Sequence, residues 1–308
     1  MAHRDLIPMP VVLLVGSAVV SDVVPALGRL SVTTNEWIVT VALAIILFDG
    51  GMDIGLRRLK PVIGAVLWLG TAGTLVTAAA MTLAAHAWFD FGWRQALLVG
   101  TAIAPTDPAV VFSLLGRREI PGHSRTLLEG ESGANDPIGI ALIITILSAH
   151  GADAGQVASG VLRFGLQMVV GLAVGLLGGW GLLRLLRGMR LPARWFPAVA
   201  IAFAVPVFAV ATLGRGSGFL AVFVAGIVVG DEHRGAFARL TDPISSAAEV
   251  VAFVVLGLSV SLSQLVRHHH LWTGVWLAAL LILAVRPVLV GLVLWPVRLR
   301  PPERLFVL

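Results

Sequence analysis

The chain has 308 residues, of which 57% are hydrophobic and 13% are charged, and its formal net charge is +5. Its mean hydropathy is +0.93. These values exclude an ordinary soluble domain and indicate a polytopic membrane protein. No basic run carries interleaved aromatic residues, so we expect no nucleic-acid partner. Cysteine is absent, which excludes disulfides and thiolate metal sites, and the sequence indicates no cofactor.

Apolar segments long enough to cross a bilayer follow one another along the whole chain. A span needs about 20 apolar residues, and about ten segments approach that length. They cover residues 6–24, 36–55, 61–88, 95–116, 127–149, 157–186, 196–213, 217–230, 243–262 and 271–296. No soluble domain or long linker separates them. We therefore expect an all-α polytopic membrane protein with a single transmembrane domain over residues 1–308.

Arginine is distributed unevenly between the predicted loops. The loops after every second span are rich in it, whereas the intervening loops are poor. The rich loops contain Arg57 and Arg58, Arg117 and Arg118, Arg187 and Arg190, Arg234 and Arg239, and Arg298 and Arg300. Because positive loops stay in the cytoplasm, this alternation predicts a multi-pass protein of the inner cell membrane with both termini cytoplasmic.

The fourth predicted span is interrupted by two prolines. The residues Ala104-Pro105-Thr106-Asp107-Pro108 place an aspartate between them. Proline removes a backbone donor and clashes with the preceding turn, so we expect a broken helix at Thr106-Asp107-Pro108. Unwound backbone at membrane depth is tolerated beside protein or a water-filled cavity. Asp107 and the freed carbonyls there are candidate cation ligands.

The fifth predicted span carries polar side chains on two faces. Ser132 and Asp136 are four residues apart, as are Glu131 and Asn135, and residues at that spacing share a helix face. Carboxylate, hydroxyl and carbonyl oxygens suit a hard cation. A carboxylate that binds either a proton or a cation makes the two compete. Such competition, coupled to a change of exposure, would produce obligatory exchange.

Two further charges in the last predicted spans need partners, because buried membrane charges tend to pair. Arg286 lies within the tenth span and Glu249 within the ninth. Arg286 with Glu131 is the preferred pair, which would leave Asp136 as the carboxylate that titrates. Arg286 with Glu249 is the alternative. Asp49, near the end of the second span and followed by arginines, is expected in a loop or at the membrane interface.

The sequence resembles the sodium/proton exchanger family, especially the bacterial NhaP-type monovalent cation:proton antiporters. The matching motifs occur in order along almost the whole chain. They are Leu47-Phe-Asp-Gly-Gly51, Thr106-Asp107-Pro108, Gly130-Glu-Ser-Gly-Ala-Asn-Asp136, Gly216-Ser-Gly-Phe-Leu-Ala221, Glu249 with Phe253-Val-Val-Leu-Gly-Leu258, and Ala284-Val-Arg-Pro287.

The resemblance implies an inverted-repeat fold and a homodimer that exchanges Na⁺ or K⁺ for H⁺ by alternating access. Asp136 would carry the proton or cation, and Asn135 is typical of electroneutral members. Ser132, Thr106 and Asp107 would coordinate the ion. Glu131, Arg286 and Glu249 would belong to the structural ion pair. The residues around Leu47–Gly51 and Glu131–Pro137 most closely resemble those of the potassium/proton subgroup.

The resemblance also implies that the chain is truncated relative to the family. Family members usually have more spans than are predicted here. The chain would begin at the family's second span and stop before the second broken helix of the inverted repeat. We therefore expect the ion site within residues 1–308 to be incomplete.

Other functions remain open at this point. A non-transporting or channel-like remnant of the same fold is one alternative. An intramembrane serine protease is a remote one, because Gly130-Glu-Ser132-Gly133 spells the G-x-S-G of rhomboid-type enzymes. That chemistry needs a histidine base beside the serine, and no histidine lies centrally in a later span.

Overall fold

The computed structural model describes residues 8–24, 31–105, 124–149, 154–188, 195–267 and 270–293. Within these ranges every regular element is helical, which confirms the all-α prediction. The α-helices are α1 (Met9–Val23), α2 (Val32–Leu59), α3 (Ile63–Trp68), α4 (Thr74–Phe89), α5 (Trp93–Ile103), α6 (Ser124–Ser148), α7 (Ala154–Gly188), α8 (Phe196–Leu213), α9 (Gly218–Leu258), α10 (Leu262–Arg267), α11 (His270–Leu280) and α12 (Arg286–Val293).

Some of the helices are long and apolar enough for membrane spans. Within the described residues, three helical stretches could cross a bilayer by length and composition: Val32–Phe89, Gly155–Gly188 and Leu271–Leu289. Shorter apolar helices accompany them. Large apolar side chains lie on the outside, such as Leu162 and Leu177, which are 74% and 68% exposed. An exposed apolar surface of this kind fits a lipid solvent.

The connection between the second and third predicted spans is a kink, not an open loop. Helical structure continues through Gly55, where φ is 63° and ψ is 156°, a conformation that glycine adopts without steric cost. Just after the kink, the backbone N–H of Arg57 donates to both carboxylate oxygens of Asp231, each at 3.0 Å. Asp231 therefore satisfies a donor that the kink releases from the helix.

Helix α2 packs against both halves of α9. A Cβ on Gly226 would collide with the carbonyl oxygen of Phe48, and Ser245 donates to the carboxylate of Asp49 at 2.5 Å. A straight helix would place Gly226 and Ser245 about 28 Å apart at 1.5 Å per residue. The stretches Gly218–Asp231 and Pro243–Leu258 therefore lie against the same part of α2, as two predicted spans would.

Small residues allow one side of α6 to pack closely against the helical segment that contains Val66 and Gly70. A Cβ on Gly130 would lie 2.9 Å from the side chain of Val66, and a Cβ on Gly70 would lie 2.9 Å from Cβ of Ala134. Gly70 belongs to a π-helical turn, Leu69–Gly73, between α3 and α4. This close packing on one side directs the polar side chains of α6 to its other faces.

Candidate cation site on helix α6

Helix α6 stays helical through Pro137, which is buried inside it. Because proline has no N–H, the carbonyl of Gly133 lacks its usual helical donor. A carbonyl released in this way can accept a hydrogen bond or coordinate a cation. The sequence therefore builds a possible backbone ligand next to Ser132, within a helix that is otherwise continuous.

The two polar faces of α6 differ in exposure. Glu131 and Asn135 are 7% and 2% exposed, whereas Ser132 and Asp136 are half-buried. The first face is packed inside the protein. Among the described residues of α6, the second face is the more exposed of the two.

Glu131 lies against Arg286. The Nη2 atom of Arg286 donates to Oε1 of Glu131 at 3.3 Å. Arg286 opens α12 directly after a second π-helical turn, Leu281–Val285, and such turns change the direction of the side chains that follow. Among its described contacts, the carboxylate that Arg286 meets is Glu131. Glu249 is half-buried on the second half of α9, one turn after Ser245.

The end of α5 lies beside the Asp136 face. Helix α5 ends at Ile103, and a Cβ on Gly139 would lie 2.6 Å from Cγ of Pro105. Gly139 is three residues after Asp136, so it lies about 60° round the helix from it. The chain thus leaves α5 next to the carboxylate. Thr106, Asp107 and Pro108 lie outside the described residues, so the broken helix and their role as ligands stay predictions.

Three charged side chains meet near the first turn of α6. Arg125 Nε donates to Oε1 of Glu129 at 2.7 Å, and Nη2 of Arg58 lies 4.0 Å from Oε2 of Glu129. The hydrogen bond that Arg125 donates to Glu129 raises the pKa of Arg125 above its ordinary value. Arg125 therefore keeps its charge at physiological pH, and the group joins α6 to α2 at the end of the molecule that carries Arg57 and Arg58.

A second buried carboxylate, Asp49, lies inside helix α2, so the loop, one of its two predicted locations, was wrong. Asp49 is 8% exposed and accepts the hydroxyl hydrogen bond of Ser245 inside the contact between α2 and α9. The pattern Gly226-Ile-Val-Val-Gly230 was the signal that could have located it. A G-x-x-x-G pattern marks a face where another helix approaches closely, and a residue of that partner helix is then buried.

The geometry gives the serine-protease reading no support. In the described ranges no hydrogen bond joins Ser132 to a histidine. His86, at the end of α4, is within 2.7 Å of the carbonyl of Phe91 and stacks on Trp93 at 3.9 Å between ring centroids.

Comparison with known proteins places these features in a family. The chain matches the family described as "Sodium/hydrogen exchanger, transmembrane" over residues 1–308. It is 36% identical over 273 residues to the K(+)/H(+) antiporter NhaP of Alkalimonas amylolytica, covering 87% of this chain and 47% of that protein. It is 27% identical over 247 residues to the Na(+)/H(+) antiporter NhaP of Pseudomonas aeruginosa, covering 74% and 57%.

The chain thus spans about half the length of the curated relatives it matches. Among solved structures, it is similar to the sodium proton antiporter MjNhaP1 from Methanocaldococcus jannaschii, with a TM-score of 0.77 and 22% identity. That match covers 98% of this chain and 78% of the other, so the two share their fold. On the full-length match and the level of identity, this chain belongs to the sodium/hydrogen exchanger family.

Proposed function

We propose that this chain belongs to a secondary active transporter that exchanges a monovalent cation for H⁺ by alternating access. Asp136 is the carboxylate that binds proton and cation in turn. Ser132 and the carbonyl released by Pro137 are its neighbours on α6. Thr106, Asp107 and Asn135 are the other proposed ligands within this chain.

The difference between the two faces of α6 carries this proposal. Glu131 is buried and has a guanidinium at 3.3 Å, so its charge is already compensated. Asp136 is half-buried on the face that adjoins Pro105, where the chain leaves α5. An ionisable residue at membrane depth is a functional candidate by default. Of Glu131 and Asp136, Asp136 has the exposure that ion exchange needs.

A single exchanging carboxylate also supports electroneutral transport. Asn135 lies next to Asp136 and carries no charge, so the pair provides one negative charge. One carboxylate binds either one proton or one monovalent cation. Each cycle then moves one positive charge in each direction, and no net charge crosses the membrane.

The choice of cation, the orientation and the assembly are also part of the proposal. Several of the most similar relatives are named K(+)/H(+) antiporters, and we propose K⁺ as the preferred ion, with Na⁺ as the alternative. We propose the inner membrane as the location, with both termini cytoplasmic, because Arg57, Arg58 and Arg125 gather at one end. Two copies are proposed to form a homodimer.

The test is cation-driven proton flux in proteoliposomes with a trapped pH dye. Pulses of K⁺ or Na⁺ should cause a saturable pH change with the 308-residue chain, and Asp136→Asn should abolish it while inserting normally. Asp90→Asn is the matched control. Asp90 is exposed after α4 with φ of 54°, a conformation that asparagine also adopts readily.

Each alternative gives a different result in that assay. Flux that persists in Asp136→Asn would overturn the assignment of the exchanging carboxylate. Cation flux without opposing proton movement would indicate a channel. Correctly inserted protein that binds cation but moves none would indicate a non-transporting remnant.

A further inference from the structure

The ring of Phe223 fills a notch on α6 next to the proposed exchange site. Phe223 lies on the first half of α9 and is 4% exposed. A Cβ on Gly133 would collide with two ring atoms, Cε2 and Cζ, and would lie 3.2 Å from a third. Only glycine at position 133 allows this approach.

Helix geometry places that notch beside Asp136. Gly133 precedes Asp136 by three residues, and Gly139 follows it by three, so each lies about 60° round the helix from it on opposite sides. Phe223 packs at Gly133 and Pro105 packs at Gly139. Asp136 is therefore flanked by two rings, one from α9 and one from the end of α5.

Phe223 packs against α2 through its backbone, and apolar side chains surround its ring. A Cβ on Gly51 of α2 would collide with the carbonyl oxygen of Phe223, so the two backbones touch. Its ring belongs to a buried cluster with Ile54, Leu127 and Ile227. Leu127 lies one to two turns before Gly133 on α6, so the cluster extends from the ring towards the end of α6 that carries Arg125.

We propose that Phe223 is a positioning residue that seals the Ser132–Asp136 face from the side of the molecule that carries Arg57 and Arg58. The inference rests on the proposed exchange at Asp136. Exchange stays coupled only if the carboxylate meets one side of the membrane at a time. A rigid ring that excludes water along the contact between α6 and α9 supplies that separation, and smaller side chains there open a wet path.

The absence of cysteine in this chain allows a test that does not depend on transport. Ser132→Cys introduces a single thiol, and its rate of modification by a membrane-impermeant thiosulfonate is measured from each side of oriented vesicles. Adding Phe223→Ala should raise the rate from the Arg57–Arg58 side by about tenfold or more, because thiol reactivity follows exposure. Val222→Ala is the control, since Val222 is equally buried but packs with Leu182 and Ala204.

A second pair of variants covers the case in which Phe223→Ala does not fold. Gly133→Ala should slow exchange, because its methyl group meets the ring, and Gly133→Ala with Phe223→Leu should recover much of the rate, since contacting residues are not additive. An unchanged labelling rate in Phe223→Ala, or no recovery in the double variant, would overturn the seal. Absence of exchange in the natural chain would count against the proposed function, and the labelling result would still decide about Phe223.

Discussion

Glu131 and Asp49 are both carboxylates buried in apolar helices, and the protein compensates them in different ways. Glu131 is 7% exposed and Asp49 is 8% exposed. Glu131 has the guanidinium of Arg286 at 3.3 Å, which joins α6 to α12. Asp49 has the hydroxyl of Ser245 at 2.5 Å, which joins α2 to α9. The first contact is between opposite charges, and the second is a single charge-assisted hydrogen bond.

The comparison teaches that burial alone does not identify the exchanging group. A buried charge needs a partner, and removing that partner costs more than the pair gains. Glu131 meets this requirement with an opposite charge, and Asp49 meets it with a short hydrogen bond. Asp136 is more exposed than either and borders the end of α5. Accessibility together with charge distinguishes the proposed carrier from the other two.

The largest expected effect comes from breaking the ion pair. Arg286→Met should lower the free energy of unfolding by about 3–5 kcal/mol, because it leaves Glu131 buried without its opposite charge. The measurement is the thermal unfolding midpoint in mild detergent. Glu131→Gln combined with Arg286→Met should restore most of the loss, since no charge is then left alone.

Glu249 supplies the contrast for that cycle. If Arg286 formed its ion pair with Glu249, the double variant Glu249→Gln with Arg286→Met would be the one that recovers stability. We expect no coupling between those two substitutions. A coupling as strong as that with Glu131 would contradict the pairing in the structure.

A smaller effect is expected where the Asp49 contact depends on close backbone approach. Gly51→Ala should destabilise the protein by about 1–3 kcal/mol, because its Cβ meets the backbone of Phe223 and lies 3.0 Å from the nitrogen of Ile227. The neighbouring Gly50 has nothing within 4 Å of such a Cβ. Gly50→Ala should therefore be neutral or stabilising, by up to about 1 kcal/mol from helix propensity.

Equal effects of these adjacent alanines on the unfolding midpoint would contradict the α2–α9 packing. The comparison between them is internal, because both change glycine to alanine in one helix. The comparison also shows whether the close packing of α2 against α9 contributes to stability beside the hydrogen bond between Ser245 and Asp49.

The sequence predicted the features that depend on local rules. The spacing of Glu131, Ser132, Asn135 and Asp136 predicted two polar faces, because helix periodicity fixes which residues share a face. Apolar length predicted membrane-spanning helices. The number of spans, their orientation and the broken helix at Thr106-Asp107-Pro108 stay predictions. The preferred partner of Arg286 followed from the need to pair buried charges.

The features that were missed depend on tertiary packing. The π-helical turns Leu69–Gly73 and Leu281–Val285 change the direction in which the following side chains point. No residue pattern in the sequence predicted them. Asp49 was predicted at a loop or interface from nearby arginines, because its burial depends on Ser245, far away in the chain. The fit of Phe223 into Gly133 likewise requires knowing which helices are neighbours.

The smallest expected effect tests the hydrogen-bonded carboxylate itself. Ser245→Ala should cost about 0.6 kcal/mol of folding stability and at most about 1.7 kcal/mol, which are the mean and the maximum measured for hydrogen bonds between membrane helices. Asp49→Asn should cost less, because the amide oxygen still accepts from Ser245 and the buried charge disappears. Both are measured by thermal unfolding, with proton flux as a second measurement. If Asp49→Asn abolished flux as completely as Asp136→Asn, both carboxylates would take part in the transport cycle, and exposure would no longer distinguish the carrier from a structural carboxylate.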